Sequence, residues 1–496
     1  MERWLQPALE YILSWIQFQM RASEQPGCVL AIAHRDRVIM ERAFGHANIV
    51  KGEKLTPRHR FRIASHSKSF TAAAIMKLRE QRKLRLDDPV GQYVKGLHLE
   101  VAEVTIGQLL SHSAGIIRDG ADAGQFIDSR PFLSKSELIA ELQRPLAIEP
   151  NTRFKYSNHG YGLLGFVIEA IAKEPYRPWI KREIVDALGL LETEPDTPIA
   201  KGASFARGHT PKLLLGRRLV IPGDNATNAI APAAGFVSTA SDVARYFAQL
   251  APKAKRSVLS VGSRREMIRR QWRNPHSSQE GYYGLGVSSG ALAGWDWFGH
   301  GGALHGYISR TCVLPAPELT LSVMTNATDG WAGLWVDGMI HILRAFATRG
   351  APTRRTRDWS GRWWSTWGPL DLVAMSDVVL AANPHLINPF MDATEIAVTG
   401  RDKGRIALAG GYQNHGEPVR RTRGKRGDVT ELWLSAVKLR PETRVAAEME
   451  RRYGAAKRPE RTDGGSHEHW PEDINPRPSA FGDNGRRLVR GGRAQE

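Results

Sequence analysis

Cysteine is scarce in this chain, because Cys28 and Cys312 are the only two among 496 residues. Two thiols are too few for a disulfide framework, and neither belongs to a Cys-x-x-Cys or Cys/His pair that could hold structural zinc. The 16 histidines are scattered and form no convincing metal cluster. We therefore expect no metal and no other cofactor, and the low cysteine content favours a cytoplasmic location.

Long apolar runs are also lacking. No uninterrupted stretch reaches the length of about 18 residues that a membrane-spanning helix requires, so we expect no membrane partner. The first 20 residues have apolar side chains at helical spacing, but they carry Glu2 and Glu10 and lack a basic start and a small-residue cleavage site. They predict an amphipathic helix of the mature protein and not a signal peptide.

Acidic residues are outnumbered, since 69 lysines and arginines face 51 aspartates and glutamates, which gives a net charge of +18. Such an excess is typical of a protein with an anionic partner such as nucleic acid or a lipid surface. Much of it is spread along the chain, and no helix-turn-helix, RNP motif or zinc finger accompanies it. We therefore expect a solvated, arginine-rich surface and no nucleic-acid partner.

The pattern of residues 1–348 predicts an α+β fold. Strand-like runs occur at 27–45 and again after about residue 295, and mainly helical patterns lie between 60 and 190. Strands at both ends with helices between them indicate one antiparallel sheet flanked by helices. We interpret residues 1–348 as one catalytic domain.

The composition changes after this region. Residues 348–358 are polar and basic with a proline and a glycine, which is typical of a linker. Residues 359–445 contain strand-like runs separated by turns and predict a small all-β domain, a sandwich or barrel, closed by a short helix. Residues 455–496 are poor in apolar side chains, so we expect a disordered basic tail.

The segment FRIASHSKSF contains Ser65 and Lys68. Ser65 follows a short apolar run and opens an alanine-rich helix pattern, so both side chains would lie on one face of a helix N-terminus, where the dipole favours negative charge at Ser65. A serine nucleophile needs a neighbouring base, and Lys68 can serve if burial or nearby cations lower its pKa. The alternative is a capping serine beside an ordinary surface lysine.

A second segment, FKYSNHGYG, contains Tyr156 and Asn158 between a turn and an apolar helix pattern. Tyr156 could pass a proton from Ser65 to the leaving group. Asn158 could bind a substrate carbonyl and form a hydrogen bond with Lys68. The alternative is that the Tyr156 ring only packs.

Both patterns have a second match in the chain, which tests their specificity. Ser435 and Lys438 also fit Ser-x-x-Lys, but they lie on a strand pattern closely followed by Pro441. Tyr412 and Asn414 also fit Tyr-x-Asn, without the turn before and the helix after. Context therefore selects the earlier matches.

A third segment, WFGHGGALHGY, contains His300, Gly301, Gly302 and Ala303 between two strand patterns. The glycines would let a substrate lie along the strand edge. The backbone N–H groups of Ala303 and Ser65 could form an oxyanion hole. His300 could bind a substrate carboxylate or assist the Tyr156 proton path, and the alternative is a glycine-rich hairpin with a structural histidine.

The three motifs occur in the order Ser-x-x-Lys, Tyr-x-Asn, His-x-Gly, and together they resemble the serine β-lactamase and penicillin-binding protein superfamily, in its class C-like branch. That branch includes D-aminopeptidases, D-alanyl-D-alanine carboxypeptidases and esterases. The resemblance covers roughly residues 25–345 and includes the segments LDDPVGQYV (86–94), LLSHSAGI (109–116), APAAGFVSTASDVARYF (231–247), YGLGV (283–287) and VMTN (323–326).

The resemblance implies that Ser65 is the nucleophile, Lys68 the base and Tyr156 the proton relay, with Asn158 orienting the substrate. His300 takes the place that lysine holds in the Lys-Thr-Gly motif of many β-lactamases. The cation for a β-lactam carboxylate is then missing unless Arg310 supplies it, and we expect no efficient β-lactam hydrolysis.

The function expected from the sequence is hydrolysis of a small amide, peptide or ester through an acyl-enzyme on Ser65, with D-aminopeptidase or amidase activity as the specific form. The substrate is then a small molecule or peptide, and the oligomeric state is left open. Esterase and β-lactamase activity remain alternatives, as does a penicillin-sensor-like module that is acylated without turnover. A basic scaffold that has lost catalysis conflicts with the intact motif set.

Overall fold

The computed structural model describes residues 2–275, 280–411 and 413–454. Its α-helices are α1 Leu5–Ala22, α2 Ser67–Glu80, α3 Leu99–Glu103, α4 Ile106–Leu110, α5 Lys135–Glu141, α6 Asn158–Ala172, α7 Tyr176–Ile180, α8 Ala231–Ala234, α9 Ala240–Leu250, α10 Val261–Ile268, α11 Ala332–Arg349 and α12 Glu442–Tyr453. Its strands are β1 Gly27–His34, β2 Arg37–Asn48, β3 Glu53–Lys54, β4 Phe61–Arg62, β5 Gly208–His209, β6 Val220–Ile221, β7 Val237–Ser238, β8 Trp272–Arg273, β9 Gly281–Tyr283, β10 Ser288–Leu292, β11 Trp295–Leu304, β12 Tyr307–Leu314, β13 Leu319–Thr325, β14 Gly361–Ser365, β15 Gly368–Met375, β16 Val378–Ala382, β17 Thr394–Gly400, β18 Lys403–Leu408, β19 Pro418–Arg423, β20 Val429–Leu434 and β21 Val437–Leu439.

The larger sheet has the strand order β3–β2–β1–β13–β12–β11–β10–β9–β8, and its neighbouring strands are antiparallel. β1 pairs with β13, with Cys28 opposite Thr325 and His34 opposite Leu319. Strands from the two ends of the region are thus neighbours in the middle of the sheet. The predicted α+β fold, an antiparallel sheet built from both ends and flanked by helices, is confirmed.

Helices cover both faces of this sheet, and the alternation of side chains along a strand divides the core in two. Along β1, Val29 and Ala31 pack into a cluster with α2, α6 and α9, whereas Leu30 and Ile32 pack into another with α1 and α11. All four side chains are buried. A strand covered on both faces has no polar face, which explains the nearly continuous apolar run of β1.

The C-terminal sheet is an up-and-down meander in the order β14 to β21. Its first and last strands meet where Trp364 and Arg440 exchange two backbone hydrogen bonds of 2.8 Å. The sheet is therefore a nearly closed barrel, the second of the two predicted architectures. The linker predicted at 348–358 overlaps the last two residues of α11, which ends at Arg349, and the rest of it lies before β14, which begins at Gly361.

The amphipathic helix predicted at the start of the chain is α1. Its Trp15 is fully buried, and its indole N–H donates to the carbonyl of Leu386 in the C-terminal region at 3.3 Å. The same side chain lies against Gly338 of α11, where an added Cβ would stand 2.1 Å from the indole ring. Helix α1 therefore contacts both the α11 face of the larger sheet and the barrel region.

Residues 1–442 form one compact unit, and the rest of α12 belongs to a second. The helix predicted near residue 442 is present as α12. The tail predicted at 455–496 lies outside the described residues. Within the described ranges, no helix is long and apolar enough to cross a membrane.

Candidate active site

Ser65 lies in a 3-10 turn, Ala64–His66, directly before α2. Ala64 has a φ of 46°, in the left-handed region that costs a non-glycine residue roughly 1–2 kcal/mol. Ser67 holds the turn, because its hydroxyl donates to the Ala64 carbonyl at 2.6 Å and accepts from the N–H of Phe236 at 3.0 Å. The strained turn leaves the Ser65 side chain partly exposed at the beginning of the helix.

Lys68, one helical turn further on, is fully buried. Its Nζ lies 3.2 Å from Ser65 Oγ, 2.6 Å from Asn158 Oδ1 and 3.0 Å from the carbonyl of Ala233. The amide and carbonyl oxygens can only accept hydrogen bonds. A neutral amine would give its two N–H groups to them and direct its lone pair at the Ser65 hydroxyl, which is the arrangement that a general base requires.

The electrostatics of the site favour this neutral form. Burial lowers the pKa of Lys68 well below its ordinary value. The negative charge of Asp119 opposes this change in the Lys68 pKa, whereas the positive charge of Arg118 adds to it. Neither Asp119 nor Arg118 was singled out by the sequence motifs.

The loop that carries Tyr156 and Asn158 is held from two sides. The N–H of Ser157 donates to Nδ1 of His112 at 3.1 Å. The Ser157 hydroxyl caps α6 by accepting from the N–H of Gly160 at 2.9 Å. The Tyr156 ring then lies with its centroid 4.7 Å from Lys68 Nζ. His112 thus shapes the loop, as its position in LLSHSAGI suggests, and it forms no catalytic dyad with Ser113.

Tyr156 is suited to keep its proton in the resting site. Burial raises the pKa of Tyr156, and a hydrogen bond with Ser65 and the charge of Arg118 oppose the increase. A neutral phenol beside the serine hydroxyl can donate a proton to a leaving group. Ser65, Lys68, Tyr156 and Asn158, predicted separately from two motifs, therefore lie together in the structure.

The third motif lies on β11, and its second glycine is sterically required. A Cβ on Gly302 would stand 2.1 Å from the carbonyl oxygen of Ile63, whereas a Cβ on Gly301 would have no atom closer than 3.6 Å. Gly302 therefore lets β11 approach the segment that precedes Ser65. Ala303, the next residue, is exposed and lines the same cleft as Ser65.

His300 is buried and is directed to a tyrosine instead of the cleft. Its Nδ1 donates to the carbonyl of Gly301 at 2.6 Å, so its Nε2 accepts from the hydroxyl of Tyr283 at 3.1 Å. Burial lowers the pKa of His300 well below its ordinary value, with the nearby His66 adding to the effect, so the ring is neutral near pH 7. It supplies no cation in this state.

Arg310 does not replace that missing cation. Arg310 is paired with Gly301 across β11 and β12, and its guanidinium lies 4.3 Å from the ring centre of Trp297. Trp297 belongs to the core cluster on the α11 face, whereas Ser65 and its neighbours lie on the other face. The expectation that Arg310 could bind a substrate carboxylate is wrong because successive side chains on a strand point to opposite faces.

A cleft of about 540 Å³ opens at Ser65. Ser65, Asn158 and Ala303 line it together with the charged pair Arg118 and Asp119, whose side chains form an ion pair at 2.9 Å. The rest of the lining is Asp122, Ala123, Gly124, Phe126, Ile127, Ser129 and Ala234. Within the described ranges, no group of histidine, cysteine and acidic side chains could hold a metal ion.

The competing Ser-x-x-Lys match does not have the helical geometry of Ser65 and Lys68. Ser435 has a φ of 55° in the turn between β20 and β21, and Lys438 lies on β21. These two residues therefore do not share a helix face. Tyr412 lies outside the described residues, so the second Tyr-x-Asn match is not described in full.

Comparison with known proteins identifies the family. A sequence profile of the beta-lactamase family matches residues 13–333. The chain belongs to the beta-lactamase family. This makes it a member of the serine β-lactamase and penicillin-binding protein superfamily.

Individual relatives of this beta-lactamase family member are distant. The protein flp of Staphylococcus aureus strain COL is 27% identical over 187 residues, which are 36% of this chain and 36% of flp. The match therefore spans about a third of the length of that curated relative.

Solved structures match more of the chain. An octameric penicillin-binding protein homologue from Pyrococcus abyssi is 24% identical with a TM-score of 0.62, over 87% of this chain and 99% of the other. A D-stereospecific amidohydrolase from a Streptomyces species is 25% identical with a TM-score of 0.53, over 64% and 95% of the two chains. The D-amino acid amidase of Ochrobactrum anthropi SV3, 22% identical with a TM-score of 0.58 over 67% and 99%, shares the fold.

Proposed function

We propose that this chain hydrolyses a small amide or peptide through an acyl-enzyme on Ser65, with an N-terminal D-amino acid residue as the acyl group. The observation that carries the proposal is the position of Lys68, a fully buried amine with Nζ 3.2 Å from Ser65 Oγ and two other oxygens in reach. A buried lysine with a lowered pKa beside a serine in a strained turn is suited to nucleophilic catalysis and is costly for stability alone.

In the proposed reaction, Ser65 attacks the substrate carbonyl while neutral Lys68 accepts the hydroxyl proton. Backbone N–H groups of Ser65 and Ala303 stabilise the oxyanion. The proton passes through Tyr156 to the departing amine, and the C–N bond breaks to leave an ester on Ser65. Water then attacks this ester with the same groups acting in reverse, which releases the acid and restores the serine.

The charges of the cleft support a substrate that carries an ammonium group. Asp119 and Asp122 line the cleft, and Arg118 is the basic residue of that lining. An α-ammonium could lie against Asp119, and the amidohydrolase and amidase among the structural neighbours are named for D-configured substrates. Ester hydrolysis by the same groups is the weaker alternative, because an ester needs no ammonium site. We also propose a cytoplasmic location, which the low cysteine content favours.

Intact mass spectrometry with a fluorophosphonate tests the nucleophile. We expect one adduct on the wild type, none on Ser65→Ala, and one on Ser435→Ala, which removes the serine of the competing motif match. Equal labelling of the wild type and Ser65→Ala, or no labelling of either, would contradict an activated Ser65.

A substrate panel tests the specificity in parallel. D-alanine p-nitroanilide, L-alanine p-nitroanilide, p-nitrophenyl acetate and nitrocefin are compared, and we expect the D-anilide to have the highest kcat/KM. Preference for the acetate ester identifies an esterase, and efficient nitrocefin turnover identifies a β-lactamase. A single burst of product without steady turnover of any substrate would identify the sensor-like alternative.

A further inference from the structure

The loop between β5 and β6 carries two of the most exposed large apolar side chains of the described residues. Leu213 is 94% exposed and Leu214 is 88% exposed, followed by Leu215 at 56%. Single exposed leucines are common on protein surfaces, whereas several adjacent ones form an apolar patch of the kind that marks interaction sites. We define the leucine tip as residues 213–215.

The neck of this loop is anchored, so the tip is held away from the protein surface. Thr210 and Leu219 close the neck, with the N–H of Thr210 donating to the carbonyl of Leu219 at 2.9 Å. Arg218 donates to the carbonyl of Thr210 at 3.0 Å and forms an ion pair with Asp329. Within the tip, Leu215 forms a turn with Lys212, and residues 213–217 are all exposed.

A second apolar residue projects beside the neck. The N–H of Ile49 donates to Nε2 of His209 at 3.3 Å, which attaches the turn after β2 to the base of the loop. Val50 in that turn is 76% exposed, and Lys51 beside it is exposed too. The surface therefore combines apolar tips with the exposed basic residues Lys51 and Arg217, whereas Lys212 forms an ion pair with Glu24.

This surface lies at the cleft end of the larger sheet. Gly208 at the base of the loop is packed against Gly306, where an added Cβ would be 3.0 Å from the Gly306 Cα. Ala303 lines the cleft, and Gly306 lies three residues later in the turn after β11. Three residues span at most about 10 Å, so the base of the loop is close to the cleft. An occupant of the leucine tip would therefore lie near the entrance of the cleft.

We propose that the leucine tip inserts into the surface of an anionic lipid bilayer, with the flanking cations at the level of the headgroups. Short apolar tips flanked by lysine and arginine suit an interface, because the apolar part enters the acyl region while the long basic side chains reach back to phosphate. The cytoplasmic leaflet is anionic, and a chain with a net charge of +18 is attracted to it. The expectation of no membrane partner rests on the lack of long apolar runs, which excludes a spanning helix but not insertion of so short a tip.

A second copy of the chain is the competing occupant, and the charges disfavour it. In a symmetric contact through the leucine tip, Arg217 of the two copies would be brought close together, so like charges would be placed near each other. The excess positive charge of each chain adds a general repulsion at close range.

Co-sedimentation of the full chain with vesicles tests the proposal. We expect binding to phosphatidylcholine vesicles that contain phosphatidylglycerol, weaker binding without it, and a decrease with added salt. The variant Leu213→Asp/Leu214→Asp should lower the partition coefficient about tenfold or more. Its control is Leu99→Asp/Leu191→Asp, the same change of charge at leucines that are 83% and 81% exposed elsewhere, which should bind as the wild type does.

A probe on the tip distinguishes insertion from general attraction. Both native cysteines are fully buried, so a thiol-reactive NBD dye on Leu214→Cys reports that site. We expect a blue shift with anionic vesicles and quenching by doxyl-labelled lipids. Equal binding of both double variants, or a probe that vesicles leave unchanged, would overturn the proposal. A mass by light scattering that falls from dimer to monomer only in Leu213→Asp/Leu214→Asp, without vesicle binding by the wild type, would establish the second copy instead.

Discussion

Lys68 and Asp119 share one partner, since both form hydrogen bonds with the side chain of Asn158. Lys68 donates to Oδ1 at 2.6 Å, and Nδ2 donates to the Asp119 carboxylate at 2.5 Å. Burial lowers the pKa of Lys68, Asp119 opposes the change and Arg118 adds to it. Burial therefore sets the direction of the pKa change of the proposed base, and two neighbouring charges of opposite sign adjust it.

The first prediction uses these opposite signs. If neutral Lys68 is the base, activity is lost as the pH falls through the pKa of Lys68. Asp119→Asn removes the charge that raises this pKa, so the acid limb of kcat/KM should shift to lower pH. Arg118→Gln removes the charge that lowers it, so the limb should shift to higher pH, each by about one pH unit.

The measurement is the pH profile of kcat/KM with p-nitrophenyl acetate, which has no ammonium group for Asp119 to bind. The profile of kcat/KM reports the free enzyme. Shifts in the same direction for both variants, or an acid limb that neither moves, would show that another group controls activity.

The second prediction concerns the two glycines of the third motif. Gly302→Ala would place a Cβ 2.1 Å from the carbonyl oxygen of Ile63, so β11 must move away from the segment before Ser65. We expect a loss of unfolding free energy of about 1–3 kcal/mol and a strong loss of activity. Gly301→Ala is the matched control, because its nearest contact is an ordinary 3.6 Å. Denaturant unfolding and ester hydrolysis check both, and equal behaviour of the two variants would contradict the steric argument.

The sequence predicts most of the site because the motif residues lie on regular elements or directly before them. Ser65 and Lys68 are neighbours through helix geometry alone, and Asn158 begins α6. Asp119 and Arg118 were missed because they lie in a loop with no regular spacing, and their importance comes from a tertiary contact with Asn158. An acidic and a basic residue shortly after LLSHSAGI are the available signal, and that signal is weak.

The fold shows the same division between local and tertiary information. The sheets follow from apolar runs, but β19, Pro418–Arg423, was missed because its sequence PVRRTR is mostly basic. Buried and exposed side chains alternate along β19, as they do in a strand with one buried face, since Val419 and Arg421 are buried and the residues beside them are exposed. Arg421 stacks on Trp359 with its guanidinium 4.1 Å from the ring centre. Sequence patterns treat arginine as polar and cannot anticipate such a buried partner.

The third prediction concerns Tyr283 as a positioning residue. Its hydroxyl donates to Nε2 of His300, and burial raises the pKa of Tyr283, so it remains a neutral donor. Tyr283→Phe leaves a buried acceptor on His300 without its donor, so we expect kcat/KM to fall about tenfold and the free energy of unfolding to fall by about 1–3 kcal/mol. Tyr282→Phe on the same strand is the control and should be silent. Separate kcat and KM values distinguish a reoriented site from a general loss of folded protein, which would lower the apparent kcat alone.

The last prediction concerns the connection between α1 and the rest of the compact unit. Trp15 is fully buried and belongs to one core cluster with Val336 of α11 and with Leu380 and Ala382 of the C-terminal barrel. Trp15→Ala leaves a cavity at that junction, so we expect a loss of about 3–5 kcal/mol in unfolding free energy.

Trp367→Ala is the control, because that side chain is 93% exposed and its removal should change stability by less than about 0.5 kcal/mol. Urea unfolding followed by tryptophan fluorescence and by far-UV circular dichroism checks this. Because Trp15 contacts both regions, the transitions followed by the two probes should move together to lower urea concentration. If one part of the signal keeps its wild-type midpoint in Trp15→Ala while the rest shifts, α1 stabilises only one of the two regions.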